Sequence, residues 1–214
     1  EGTNANNYEI SKTEGTLTIT ENKTALVIIS STKSWTYDGK THKDELYTVT
    51  YGGEAATADE TGKVFTLSTG DTVTITPTAE GVKDYSASYS ENNTYNYEIS
   101  NATSYSDVTA NVGTLSINKR VVTLTSQSGD KPYDGTPLTK PEVTVGGDGF
   151  VEGEATEIKA TGSVTTVAEG EVTNTIVFTE GANYKADNYD ITKTEGKLKI
   201  TESEGALVIS SSTK

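Results

Sequence analysis

Gly129-Asp130-Lys131-Pro132-Tyr133-Asp134-Gly135-Thr136-Pro137-Leu138 decides the reading, together with a related copy, Lys33-Ser34-Trp35-Thr36-Tyr37-Asp38-Gly39-Lys40. Each follows a short run of β-formers and precedes a second run that ends in Gly-Gly, at Gly52-Gly53 and Gly146-Gly147. Tyr-Asp-Gly predicts a turn: the Asp side chain bonds the backbone ahead of it, and Gly accepts φ > 0. The tyrosine ring is expected to pack down as an anchor while its hydroxyl stays near water. Tyr37, Asp38 and Gly39, and likewise Tyr133, Asp134 and Gly135, are read as structural turn motifs marking a repeated block.

A second pattern recurs three times. Asn7-Tyr8-Glu9-Ile10 leads to Gly15-Thr16-Leu17-Thr18-Ile19, Asn96-Tyr97-Glu98-Ile99 to Gly113-Thr114-Leu115-Ser116-Ile117, and Asn188-Tyr189-Asp190-Ile191 to Gly196-Lys197-Leu198-Lys199-Ile200. Residues 6–33 align with 187–214 without a gap, an offset of 187 − 6 = 181. A fixed period with near-identical text is the signature of an array. The two units within one period align more loosely: Val49 to Gly53 answers Val143 to Gly147, and Asn101 to Asp107 reads as an insertion in the first.

Short runs rich in Val, Ile, Thr and Tyr, separated by turn signals, predict an all-β chain, and no stretch carries a 3.6-residue period. The expected architecture is a series of tandem small Ig-like β-sandwich domains in an elongated array, with a β-grasp-like variant as the other option. The expected division is 1–20, the C-terminal strands of a preceding repeat; 21–118, repeat unit one; 119–201, repeat unit two; and 202–214, the first strand of a following repeat. Val27, Ile28 and Ile29 break the alternation and predict a strand buried on both faces or bulged. Thr69-Gly70-Asp71 and Glu169-Gly170 predict hairpin turns, and Tyr85 to Tyr89 alternates as a strand would. Asn118-Lys119-Arg120 joins the units with no Gly/Ser tract, which predicts a semi-rigid joint.

Only 32% of residues are hydrophobic and 7% aromatic, so thin cores are expected; the formal net charge is −14. No basic stripe answers phosphates, which argues against nucleic acid and anionic membranes as partners. Cysteine is absent, which removes disulfides and thiolate chemistry. Methionine is also absent, and the chain reads as a fragment or processed product. No apolar run reaches membrane-spanning length.

The stretch from Lys131 to Thr139, with Asn188 to Ile191 and Gly196 to Ile200, resembles the tandem YDG-motif (MBG-like) repeats of large bacterial cell-surface proteins. The resemblance covers nearly the whole chain, although Lys40 and Thr41 stand where the pattern has Thr-Pro. It implies a stalk or spacer of a surface adhesin or fibre, extracellular and wall-anchored through regions outside this segment, projecting a distal binding domain. It implies neighbouring repeats as partners and no catalytic residues.

Candidate chemistry is sparse. His42 is the sole histidine, in a polar loop with no nucleophile-elbow motif, which predicts no enzyme. Zinc needs three or four ligands, and no cofactor is expected; the acidic residues leave calcium at a joint between domains as the one metal to consider. A Lys–Asn isopeptide crosslink would need Lys33 or Lys119 beside Asn96 or Asn188, with an acid to shuttle protons. Trp35, the sole tryptophan, covers the end of a thin core or, in the alternative function, stacks on a host glycan or protein. A further alternative is head-to-tail assembly, with residues 1–20 offering unpaired strand edges.

Overall fold

The computed structural model describes residues 9, 11–20, 22–205 and 208–211. In chain order the strands are β1 (Leu26–Ser30), β2 (Lys33–Thr36), β3 (Tyr47–Tyr51), β4 (Glu54–Ala55), β5 (Thr57–Ala58), β6 (Val64–Thr66), β7 (Thr72–Pro77), β8 (Tyr95–Ile99), β9 (Val108–Asn111) and β10 (Leu115–Asn118). The second half contributes β11 (Arg120–Ser126), β12 (Gly129–Pro132), β13 (Leu138–Thr139), β14 (Val143–Gly147), β15 (Ala155–Ala160), β16 (Ser163–Val164), β17 (Glu171–Asn174), β18 (Ile176–Glu180), β19 (Tyr189–Thr194) and β20 (Gly196–Thr201). The fold is all-β. Among the described residues, helical structure is confined to single 3-10 turns at Ala102–Ser104, Val167–Glu169 and Ala186–Asn188.

Two compact units cut across chain order. One takes residues 1–30, 46–77 and 95–111; the other takes 31–45, 78–94 and 112–214. In the first, sheet β4-β3-β1-β9 and sheet β5-β6-β7-β8 share a core. Alternate residues supply it: Leu26 and Ile28 from β1, Val49 from β3, Phe65 from β6, Val73 and Ile75 from β7. Val27 and Ile29 face outward, so β1 alternates like its neighbours and neither expected irregularity is present. The Thr69-Gly70-Asp71 turn joins β6 to β7, with Gly70 at φ 89°.

The second unit holds two core clusters. The larger joins Tyr37, Val82, Leu115 and Ile117 to Val122, Leu124, Ile176 and Tyr189. Residues on both sides of the Asn118-Lys119 junction therefore bury against one another. Each fully buried aliphatic side chain contributes about 1.5–3 kcal/mol, so opening the junction exposes much of that sum. The smaller cluster is Val164, Leu198 and Ile200, with Leu138 and Val172 against it.

The ladders show a repeat more regular than the text. β1 lies between antiparallel β3 and parallel β9; β11 lies likewise between β14 and β19. β2 runs parallel to β10, and β12 parallel to β20. The first and last strands of each repeat thus meet in parallel, where an Ig-type sandwich is built from antiparallel sheets. Parallel neighbours need a long crossover, and the rest of each repeat provides it. Leu26 pairs with Val108 and Val122 with Ile191; Lys33 pairs with Leu115 and Gly129 with Leu198. The leading strands correspond at an offset of 96 (122 − 26) and the trailing strands at 83 (191 − 108).

These registers correct three alignments made from the text. Val49 pairs with Ile28 and Val145 with Leu124, so Val49 answers Val145 and not Val143. Asn96 to Ile99 lies on β8, antiparallel to β7, whereas Asn188 to Ile191 opens β19, parallel to β11. The true counterpart of β19 is β9. Residues 101–107 are not an insertion; the Ala102–Ser104 turn answers Ala186–Asn188 before the parallel strand. The extra length lies earlier. His42 bridges Val82 across 40 residues, and Leu138 pairs with Val164 across 26. The 14 additional residues fall in the region of β4 to β6.

Tyr85 to Tyr89 forms no strand. Ser86 Oγ accepts from the Ser88 amide (3.2 Å), a local turn that competes with ladder pairing. Residues 11–20 also form no strand, and Leu17 is fully exposed. Their counterparts β19 and β20 pair with β11, β12 and β17. The strands expected at residues 1–8, 10, 21, 206–207 and 212–214 lie outside the described residues. Residues 202–205 and 208–211 carry no strand, and Val208 and Ile209 are exposed.

Candidate functional site: a buried glutamate between two tyrosines

The first Tyr-Asp-Gly motif is set at the end of β2. The Tyr37 amide donates to the Asn118 carbonyl (3.0 Å), extending the β2–β10 ladder by one rung. Asp38 Oδ1 then accepts from the Lys40 amide (2.9 Å), and Gly39 sits at φ 77°. A Cβ on Gly39 would stand 3.3 Å from Val151 Cγ1, so the turn approaches the 151–154 loop closely. Burial pulls the Asp38 carboxyl upward, but hydrogen bonds from His42 and the Lys40 amide hold it below its ordinary value.

The tyrosine does not keep its hydroxyl near water. Tyr37 is 1% exposed. Its hydroxyl donates to Glu154 Oε1 at 2.7 Å, and the Tyr189 hydroxyl donates to Glu154 Oε2 at 2.7 Å. Glu154 is itself only 4% exposed. The two rings meet edge to face, centroids 5.6 Å apart at 81°, a favoured quadrupolar arrangement. The Val151 amide donates to the Tyr189 oxygen (3.1 Å). A buried carboxylate is tolerated when its lone pairs are filled, and here one phenol fills each oxygen. Burial and then the Glu154 contact push the Tyr37 hydroxyl up to about 12. The same two causes, in the same order, push Tyr189 well above the ordinary range.

Arg120, the first residue of β11, closes the motif from the other side. Its Nε donates to the Gly149 carbonyl (2.7 Å), Nη2 to Asp148 (2.6 Å) and Nη1 to the Tyr37 carbonyl (3.2 Å). In sequence this residue reads only as part of a linker. Beside it, Asp84 accepts from Lys185 Nζ and from Asn188 Nδ2 (2.9 Å), while Asn188 Oδ1 accepts from the Tyr85 amide (2.7 Å). Burial opposes the charge on Asp84, yet these two donors hold it below its ordinary value. Above lies an open groove of about 410 Å³ between Asp38, Lys40, Lys83, Glu152 and Lys185, with Tyr37 and Glu154 at its lining.

The second motif repeats the backbone and not the burial. The Tyr133 amide donates to the Thr201 carbonyl (2.9 Å), Asp134 Oδ1 accepts from the Thr136 amide (2.9 Å), and Gly135 sits at φ 80°. Lys131 and Thr136 bond the Asp134 carboxylate and hold it far below the usual range. Tyr133, however, is 45% exposed.

Other singled-out residues have defined places. Trp35 is half-buried at the edge of the larger cluster; one ring face stacks on His42 at 5.0 Å and 19°, and Lys33 Nζ lies 5.4 Å from the ring centre. His42 Nε2 is 2.9 Å from Asp38 Oδ1, which makes it part of the turn. Lys33 also pairs with Asp44, and Lys119 Nζ lies over the Tyr85 ring at 4.8 Å. Asn188 spends its side chain on Tyr85 and Asp84, and Asn96 lies on β8. Among the described residues no group of three or more His, Cys, Asp or Glu side chains converges as a metal site would.

The sequence reading missed Glu154 and the paired asparagines Asn93 and Asn174. Asn93 Nδ2 donates to the Ser31 carbonyl (2.9 Å) and Asn174 Nδ2 to the Gln127 carbonyl (3.0 Å), the same bond in both repeats. Placing Ser31 against Gln127 at the offset of 96 is the signal that leads to them. No family model, curated protein or solved structure matches the chain.

Proposed function

We propose that this chain is a spacer segment of tandem β-sandwich repeats in an extracellular bacterial surface adhesin or fibre, and that its task is to carry tension and hold distance. One observation carries this reading: the parallel pairing of each repeat's first and last strands. In the second repeat, β11–β12 runs beside β19–β20 through Arg120↔Tyr189 to Thr125↔Thr194 and Gly129↔Leu198 to Pro132↔Thr201. The chain enters at one end of this ladder and leaves at the other. Tension along the chain therefore slides the two ladders lengthwise, and the inter-strand bonds resist together instead of opening one by one. The core spanning residue 119 supports the same reading, because a spacer that must hold length gains from joints that do not open. Neighbouring repeats of the same kind are the partners.

The test is hydrogen exchange on the full chain with Leu115→Ala, which lies before the junction and is 1% exposed. The expected result is faster exchange in β11 and β19, beyond the junction. Unchanged protection in those strands would mean that the two sides are energetically independent.

A further inference from the structure

One pair of equivalent strands has different neighbours in the two repeats. β3 and β14 each run antiparallel to their leading strand, with Val49 opposite Ile28 and Val145 opposite Leu124. The Gly52 amide donates to the Ala25 carbonyl (2.9 Å) and the Asp148 amide to the Val121 carbonyl (2.7 Å), the same rung of both ladders. Bonded and unbonded pairs alternate along an antiparallel ladder. The backbone groups of Val49 and Tyr51, and those of Val143 and Val145, therefore point away from the leading strand.

In the first repeat that outer edge is filled. The Val49 carbonyl accepts from the Ala56 amide (2.9 Å), and β4 pairs with β3 through Thr50↔Ala55 and Tyr51↔Glu54. Ala56 packs on the core, and Val49 is 1% exposed. The second repeat has no such strand. Only residues 148–154 separate β14 from β15, and they form no strand. Among the described residues, nothing bonds the outward backbone groups of Val143 and Val145, and Val145 is 41% exposed. β15 lacks a counterpart of β6 in the same way, but its edge is blunted. Its register shifts between Thr156 and Lys159, with Glu157 at φ 49°, and such irregularity discourages strand addition. β14 pairs with β11 without a break from Val143 to Gly147, so its edge stays regular and able to pair.

We propose that the outer edge of β14 is a docking site for an extended segment of a partner protein. The segment adds as an antiparallel strand, in the place that β4 and Ala56 take beside β3. Strand addition draws affinity from backbone bonds and selectivity from alternate side chains. The residue opposite Val145 is small and apolar, as Ala56 is opposite Val49. Glu142 and Asp148 flank the edge, and the chain carries a net charge of −14. Charge complementarity therefore favours a segment that is basic at its ends.

The probe is a synthetic peptide with the text of residues 53–58 and Glu54→Lys, titrated into the isotope-labelled full chain and followed by backbone amide shifts. Saturable shifts are expected from Val143 to Gly147. A peptide N-methylated at the position of Ala56 cannot donate to the Val145 carbonyl. It should bind about tenfold more weakly, the loss of one hydrogen bond. Val145→Pro removes an amide that points away from β11, where an edge strand tolerates proline. This variant should unfold as the parent does and lose the shifts. The absence of saturable shifts in β14 overturns the proposal, as does binding that survives N-methylation or a folded Val145→Pro. Either failure leaves the spacer role untouched, because tension is borne by the parallel ladder on the other side of β11.

Discussion

Tyr37→Phe isolates the bond between the first turn motif and the core beyond the junction. It keeps the ring against Tyr189 and removes one hydroxyl, 2.7 Å from a carboxylate oxygen that is buried with it. A hydrogen bond to a charged group contributes about 1.5–3 kcal/mol, and a buried acceptor left short of a donor sits at the upper end. Glu154 retains the Tyr189 hydroxyl, which sets the expected loss at about 2 kcal/mol. Urea unfolding followed by Trp35 fluorescence reads it directly, because Trp35 packs against the same cluster. Glu154→Gln completes a double-mutant cycle with a coupling of about 1 kcal/mol or more. Tyr133→Phe is the control and stays within about 0.5 kcal/mol, as exposed positions do. A Tyr37→Phe loss no larger than the control's, or a coupling of zero, would refute the buried-acid seat.

Stability should also fall in alkali. Tyr37 keeps its proton in the fold up to about pH 12, while an unfolded tyrosine loses it near pH 10. Below pH 10 both states hold the proton and the full contribution is present; between about 10 and 12 the unfolded chain binds fewer protons, so stability drops as pH rises. Two units correspond to about 2–3 kcal/mol, Tyr189 adds in the same direction, and Tyr37→Phe should flatten the decline in a urea series from pH 9 to 12. Asn174→Ala strips donors from the Gln127 and Lys140 carbonyls and the acceptor from the Gly162 amide; the expected cost is about 3 kcal/mol or more by urea melt. Gly196→Ala places a Cβ 2.3 Å from the Gln127 carbonyl, a backbone atom that cannot step aside, and a loss of about 4 kcal/mol or a failure to fold is expected in thermal melts.

Strand placement was legible because half-buried strands alternate: Val73 and Ile75 point inward on β7, Leu198 and Ile200 on β20. The turns were legible because Gly39, Gly70 and Gly135 need positive φ. Pairing was not, since parallel and antiparallel neighbours draw on the same β-formers. Asn96 to Ile99 and Asn188 to Ile191 share their letters yet sit in ladders of opposite sense. Glu154 stood among 31 acidic residues with no periodic mark, and its partner Tyr37 lies 117 residues away. Tyr37 and Tyr133 carry the same local text; only the residues that follow the junction bury one of them.

Pulling a single chain by its ends loads the parallel ladder of the second repeat in shear. The second repeat should yield in one abrupt event, releasing roughly 28 nm for residues 120–201 at about 3.4 Å each. Its force should drop when Val122→Pro removes the β11 donor from the parallel ladder. Gradual extension at low force, with the strands peeling one after another, would contradict it.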